Sequence, residues 1–190
     1  MVSGVGELDQ RGQWVARIGA AARSATPRAG RTRVVAIDGR SGAGKTRLAE
    51  ALRGEWGAPV VSLEDLYGGW DGLERGIALL VAEVLEPFAA GRAARVPRYD
   101  WVAGDWAGPV PLTPPDVLIV EGAGAGARRA AAFESLLVWL ESPPSVRKKR
   151  ALDRDGEIFA PYWDRWAAQE DAMLGRERTP ERADLVLRTG

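Results

Sequence analysis

The sequence predicts an α/β protein: an open parallel sheet of about five strands, with helices on both faces and a small lid. Three observations lead there. Short, β-branched apolar runs alternate with longer segments of helical period. One such run, Val34-Val-Ala-Ile37, leads into a glycine-rich stretch and then a helical pattern. Two other runs end in acidic residues, at the carboxyl ends of strands where open α/β sheets bind ligands.

Each element follows in order. Leu8, Trp14, Val15, Ile18 and Ala22 recur at helical spacing, so residues 8–23 predict a leading amphipathic helix. Thr26–Arg31 contains Pro27 and Gly30 and reads as a loop, so 1–30 form a leading helix and loop. Arg33–Ile37 is a buried strand, and Lys45–Trp56 a helix stopped by Gly57. Pro59–Leu63 is a second strand. Gly68, Gly69 and Gly72 break the chain before a helix over Leu73–Ala90. Residues 91–115 hold five prolines and scattered aromatics and read as a loop-rich insertion on the acceptor side. Val117–Val120, Leu136–Leu140 and Leu185–Leu187 supply three further strands. Between the last two lie a basic helical stretch, Ser145–Asp155, within the lid segment 143–157, and a Trp-rich one, Ile158–Leu174. The whole of 1–190 reads as one domain, with no internal repeat.

Composition excludes several chemistries. Lys+Arg and Asp+Glu both number 26, so no global field draws in nucleic acid or membrane, and phosphate affinity must be local. The chain has neither cysteine nor histidine, which removes disulfides, the usual zinc sites, thiol nucleophiles and His-based acid–base schemes. There is no basic-then-apolar leader and no run of about 18 apolar residues, so a cytoplasmic protein is expected.

The glycine-rich stretch, Gly39-Arg-Ser41-Gly42-Ala43-Gly44-Lys45-Thr46, fits the phosphate-loop pattern G-x-x-x-x-G-K-[ST] in full. Glycines let successive N–H groups converge on an anion with no Cβ in the way. The helix that opens at Lys45 and runs on through Arg47 adds its positive N-terminal dipole. Lys45 is a mobile charge for the β- and γ-phosphates, and the Thr46 hydroxyl can ligate Mg²⁺. The fold class is therefore that of the P-loop NTPases, and the ligand a nucleoside triphosphate.

Carboxylates extend this reading. Val117-Leu-Ile-Val-Glu121 ends beside the loop if the two strands are neighbours, and Glu121 can then hold the metal with Thr46. Glu64 and Asp65 end the second strand, and one of them can take the proton of a substrate hydroxyl. On an extended segment adjacent acids point opposite ways, so one faces the site; which one is open. Arg147, Arg150 and Arg154 share one helix face, placed to stabilise charge in phosphoryl transfer and to exclude water.

On these residues the chain resembles the uridine kinase/phosphoribulokinase family of P-loop kinases. The stretches that carry the resemblance are Asp38-Gly-Arg-Ser-Gly-Ala-Gly-Lys-Thr46, Leu63-Glu-Asp-Leu-Tyr67, Pro97-Arg-Tyr-Asp-Trp101 and Val120-Glu-Gly122, over about residues 33–188. The resemblance implies ATP and Mg²⁺, and transfer of the γ-phosphate to a hydroxyl. It implies a catalytic base where Glu64 stands, one methylene longer than the family's Asp. It also implies acceptor contacts from Tyr67, Tyr99, Asp100 and Trp101. The family's nucleoside kinases continue into a base-binding His; here Val102-Ala-Gly-Asp105-Trp106 follows. The acceptor, nucleoside-like or sugar-like, stays open, as do ATP over GTP and oligomeric state. Trp101, Trp106, Trp163 and Trp166, with Tyr162, can wall the pocket, although a pair at i, i+3 packs more often as core. The alternative is a non-catalytic P-loop protein that signals to a partner, for which the run Gly122-Ala-Gly-Ala-Gly126 leaves room. A GTPase switch with N-K-x-D is excluded, because the chain has no asparagine.

Overall fold

The computed structural model describes residues 3–189, with side chains from residue 10 onward except 155, 157 and 158. The side chains of Leu8, Asp155 and Ile158, named above, lie outside the described residues. In chain order the elements are α1 (Ser3–Ser24), β1 (Arg33–Gly39), α2 (Lys45–Trp56), β2 (Val60–Ser62), a 3₁₀ turn (Leu63–Leu66) and α3 (Leu73–Leu79). A π-helical turn (Leu80–Leu85) joins α3 to α4 (Glu86–Ala89), and β3 (Ala94–Asp100), β4 (Asp105–Leu112), β5 (Val117–Glu121) and β6 (Glu134–Glu141) follow. The chain closes with α5 (Pro144–Phe159), a 3₁₀ turn (Ala160–Tyr162), α6 (Trp163–Glu177), α7 (Thr179–Arg182) and β7 (Leu185–Arg188).

Five strands make one sheet in the order β2-β5-β1-β6-β7, every neighbouring pair parallel. Alternation along each strand divides the core in two. In β1, Val34 and Ala36 join the cluster beneath α3, the π-turn and α6, whereas Val35 and Ile37 join the one beneath α1 and α2. Leu118 and Val120 against Ile119 repeat the division in β5. Helices therefore cover both faces, as the unbroken apolar strands require. Among the described residues no helix is long and apolar enough to cross a membrane.

The order places the crossover point beside β1. From β1 the chain crosses to edge strand β2, and β5 then inserts between the two before β6 continues on the other side of β1. Register sets the three strand ends level: Ile37 pairs with Glu121, and Ser62 pairs with Glu121 from the other side. The crevice beyond these ends is where such a sheet takes its ligand.

Two expectations are corrected. Residues 91–115 are not simply loop: β3 and β4 form an antiparallel hairpin, with Ala94 opposite Leu112 and Tyr99 opposite Trp106. Pro97, Pro109 and Pro111 obscured it. A two-stranded ribbon tolerates them, because each strand keeps an outer edge that needs no N–H donor. The segment after β2 is not extended either. It winds into the Leu63–Leu66 turn, capped by Ser62, whose hydroxyl accepts from the Glu64 N–H at 3.3 Å.

Glu134 opens β6 on the buried side, and its Oε1 finds no hydrogen-bond partner. Burial pushes its carboxyl up to about 8, against the pull of Arg182. The folded chain thus holds a proton that the unfolded chain releases near the ordinary value, so stability falls as pH rises through that interval. Asp38, raised to about 6, acts in the same sense at lower pH. With no histidine in the chain, the interval of roughly pH 6.5–8.5 isolates Glu134. Denaturant unfolding at stepped pH should show stability declining across that interval in the wild type and a flatter profile in Glu134→Gln. Equal slopes in both would contradict this assignment.

Candidate active site

Beyond the carboxyl ends of β1, β5 and β2 lies a cavity of about 810 Å³. One wall is the glycine-rich loop. Gly44 opens α2 at φ 99°, a left-handed conformation that presents the first helical amides to the cavity. Gly42, at φ 79°, lies against α5 so closely that a Cβ there would fall 2.1 Å from the Arg147 carbonyl oxygen. Gly42, Ala43, Gly44, Lys45, Thr46 and Arg47 all line the cavity with Ser41; Gly39 lies behind them at the end of β1, buried. The Lys45 ammonium is folded back and donates to the Arg40 carbonyl at 3.1 Å.

A carboxylate faces the loop. Glu121 is 3 % exposed, its two oxygens each 3.5 Å from the Thr46 hydroxyl, and it accepts from Ser62 Oγ at 2.6 Å. These are hard oxygen donors, few in number, and no group of three or more His, Cys, Asp or Glu suited to a metal occurs among the described residues. Such a set fits Mg²⁺, which keeps waters and phosphate oxygens beside one or two protein ligands. It would not make an all-protein calcium or zinc cage.

Asp38 anchors the loop from below. It is fully buried; its Oδ1 accepts from the N–H groups of Gly39 at 2.7 Å and Gly124 at 2.9 Å, its Oδ2 from Gly126 at 2.9 Å. Burial pushes its carboxyl up to about 6 although these three amides and Lys45 pull it down. The glycine run after Glu121 is thereby explained: its amides hold a carboxylate. From the sequence alone it left room for a regulatory loop.

Two helices grip Ser41 from opposite sides. From α6, Glu170, 1 % exposed, accepts from Ser41 N and Ser41 Oγ, both at 2.8 Å, and from the Trp166 indole N–H at 3.1 Å. Arg40 pairs with both Glu170 and Asp171. From α5, Arg147 donates to the Ser41 carbonyl at 3.3 Å and to the Ser142 carbonyl at 3.2 Å. Arg147 is therefore rooted in backbone, and its buried guanidinium is lowered from the ordinary value chiefly by desolvation. The arginine face is split: Arg150 and Arg154 line the cavity, and Arg147 does not. Arg150 also donates to the Thr189 hydroxyl at 3.2 Å.

The acids after β2 diverge. Glu64 lines the cavity, with its Oε1 3.4 Å from the Arg154 guanidinium. Asp65 is outside it and faces Arg98 of the hairpin at 3.8 Å. Among the expected acceptor contacts, Tyr67 and Trp101 line the cavity. The Tyr67 hydroxyl donates to the Ala123 carbonyl at 3.0 Å, and the Trp101 indole N–H to the Glu64 carbonyl at 3.0 Å. Tyr99 and Asp100 stand outside. Tyr99 packs between Trp101 and Trp106, and Asp100 accepts from Val102 and Ala103 to close the hairpin turn. Trp163 and Trp166 are both buried, and Trp166 also reaches the cavity. Trp106 sits outside, beneath the Arg75 guanidinium.

The sequence reading missed Trp70, Phe159 and Glu170. Trp70 is the hub of the aromatic wall, stacked on Tyr162 at 4.6 Å and Phe159 at 5.1 Å and tilted against Trp101 at 4.7 Å. Gln169 holds it through its carbonyl at 2.7 Å. Glu170 has a weak signal: an acid at i+4 from Trp166 on the apolar face of α6. Removing it strands a buried indole N–H and a loop amide. Glu170→Ala should lose about 3 kcal/mol of stability, lowering Tm by roughly 6–12 °C for a chain of this size, measured by thermal unfolding. An unchanged Tm would contradict the clamp.

No protein-family model matches the chain, and no curated protein matches it. Solved structures do. One, described as a possible uridine kinase from Bacillus stearothermophilus, is similar at TM-score 0.68 and 23% identity, over 95% of this chain and 99% of that one. Another, a fructose transport system kinase from a Silicibacter species, is similar at TM-score 0.55 and 18% identity, over 93% and 98%. At these identities the likeness is one of architecture. With the loop, the strand order and the crossover point, it makes this chain's fold that of the P-loop kinases.

Proposed function

We propose that the chain is an ATP-dependent small-molecule kinase that transfers the γ-phosphate to a hydroxyl. The observation that carries this reading is that one cavity is lined both by the phosphate loop and by a carboxylate, Glu64, besides the Glu121 that faces Thr46. In the reaction the acceptor hydroxyl gives its proton to Glu64, its oxygen bonds the γ-phosphorus, and the bond to the bridging β–γ oxygen breaks to leave ADP. The loop amides bind the phosphates, and Lys45 swings from the Arg40 carbonyl to the γ-phosphate. Arg150 and Arg154 offset charge spreading on the transferring group, and α5 acts as a lid that excludes water. Thr46 and Glu121 would hold Mg²⁺, which supplies charge neutralisation on the β- and γ-oxygens.

The acceptor end supports a nucleoside-like molecule over a sugar. Half-buried Trp70 and Trp101 offer ring surface beside the buried rings of Tyr67, Phe159 and Trp166, and the carboxylates expected for hydroxyls, Asp65 and Asp100, are turned elsewhere. Flat rings stack on such walls, whereas a polyol would leave hydroxyls unpaired.

ADP formation over a panel of nucleosides, sugars and other alcohols tests the reading. Turnover should require an acceptor. Lys45→Ala should lose about 10³-fold and Glu64→Gln about 10²-fold, while Asp65→Asn stays within about threefold. ATP consumption at the same rate without an acceptor would overturn it. Nucleotide binding with no transfer to any acceptor would favour the regulatory alternative.

A further inference from the structure

The cavity has a third side. Gln10, Arg11 and Trp14 of α1 line it together with Thr46, Arg47, Leu48, Arg150 and Thr189. None of the chemistry assigned above uses α1. We propose that α1 supplies the site for the heteroaromatic base of the phosphate donor, with the Trp14 indole as stacking face and Arg11 and Gln10 as the polar groups at the ring edge.

The argument is one of polarity along the cavity and rests on the kinase reading above. The aromatic acceptor wall and Glu64 belong to elements on one face of the sheet: Trp70, Trp101 and Tyr162 pack on the cluster beneath α3 and α6. Trp14 packs on the opposite cluster, with Ile18, Leu48 and Leu187. The phosphate loop lies between. A triphosphate on the amides of Gly42 to Thr46 must direct its γ end toward Glu64 and Glu121 for transfer to occur. Its nucleoside end then leaves past Thr46 and Arg47, toward α1.

The groups waiting there suit a base. Trp14 is half-buried against a fixed core, so little side-chain freedom is lost when a ring stacks on it. Arg11 is half-buried and Gln10 exposed; together they offer a guanidinium and an amide able to both donate and accept. Thr189 ties this end to the loop, its hydroxyl donating to the Ala43 carbonyl at 3.2 Å. The leading helix thus contributes to binding as well as covering the sheet.

Titration calorimetry of the full chain with two probes, Mg²⁺ with a nonhydrolysable ATP analogue and Mg²⁺ with inorganic tripolyphosphate, tests this. Trp14→Leu and Arg11→Ala should each weaken the analogue about tenfold and leave tripolyphosphate within about twofold, and Trp14→Phe should restore most of the loss. Arg11 is half-buried but belongs to neither core cluster, so Arg11→Ala guards against a folding defect in the Trp14 variant. Equal weakening of both probes would overturn the proposal, because α1 would then only support the loop. So would unchanged affinity for the analogue, which would put the base elsewhere. A wild-type chain that binds neither probe would instead sink the phosphate-loop reading itself.

Discussion

The glycine-rich loop after β1 is held open by a carboxylate that never meets solvent. Asp38, next to last in β1, collects three backbone N–H groups, one from its own turn and two from the segment after β5. Without it, the loop after β1 and the loop after β5 would each leave buried amides unpaired, at a cost of a few kcal/mol. With it, the two strand ends that supply the glycine-rich loop and Glu121 are fixed to one another. Glu121 then meets Thr46 and Ser62 and closes the floor of the cavity.

Above that floor the loop is gripped by elements that arrive late in the chain. Glu170 and Arg147 hold opposite sides of the Ser41 peptide, and Gly42 touches the α5 backbone directly. α5 therefore touches the glycine-rich loop without an intermediary. The segment Gly68–Gly72 is bound to α5 and the turn after it by the stack of Trp70 on Phe159 and Tyr162, and to α6 by Gln169 and by the Arg165–Asp71 pair. The aromatic wall, the arginines and the loop thus share supports.

Much of this was legible in the sequence, for local reasons. β1, the loop and α2 are specified by contiguous signals: a β-branched run, glycines at required positive φ, and a glycine stop. The sheet strands were readable because burial on both faces leaves their middles apolar, with polar residues mainly at their ends. What escaped reading depends on distant partners. Trp70 sits among glycines with no periodicity, and its role arises only when α5 and α6 fold over it. Glu170 looks like one more acid on a surface helix until Ser41, 129 residues away, is placed against it. The hairpin was hidden by prolines that would break an interior strand but not a ribbon. Glu64 and Asp65 were undecidable because a 3₁₀ turn, not an extended segment, sets their directions.

The central claim is that this loop seats a triphosphate with a metal between Thr46 and Glu121. A crystal structure with Mg²⁺ and a nonhydrolysable ATP analogue tests it most directly. The account predicts phosphate oxygens on the amides of Gly42 to Thr46, Lys45 released from the Arg40 carbonyl, and a cation inserted between the Thr46 hydroxyl and the Glu121 carboxylate. A loop that keeps the Lys45–Arg40 contact, with no phosphate against its amides at saturating ligand, would contradict it.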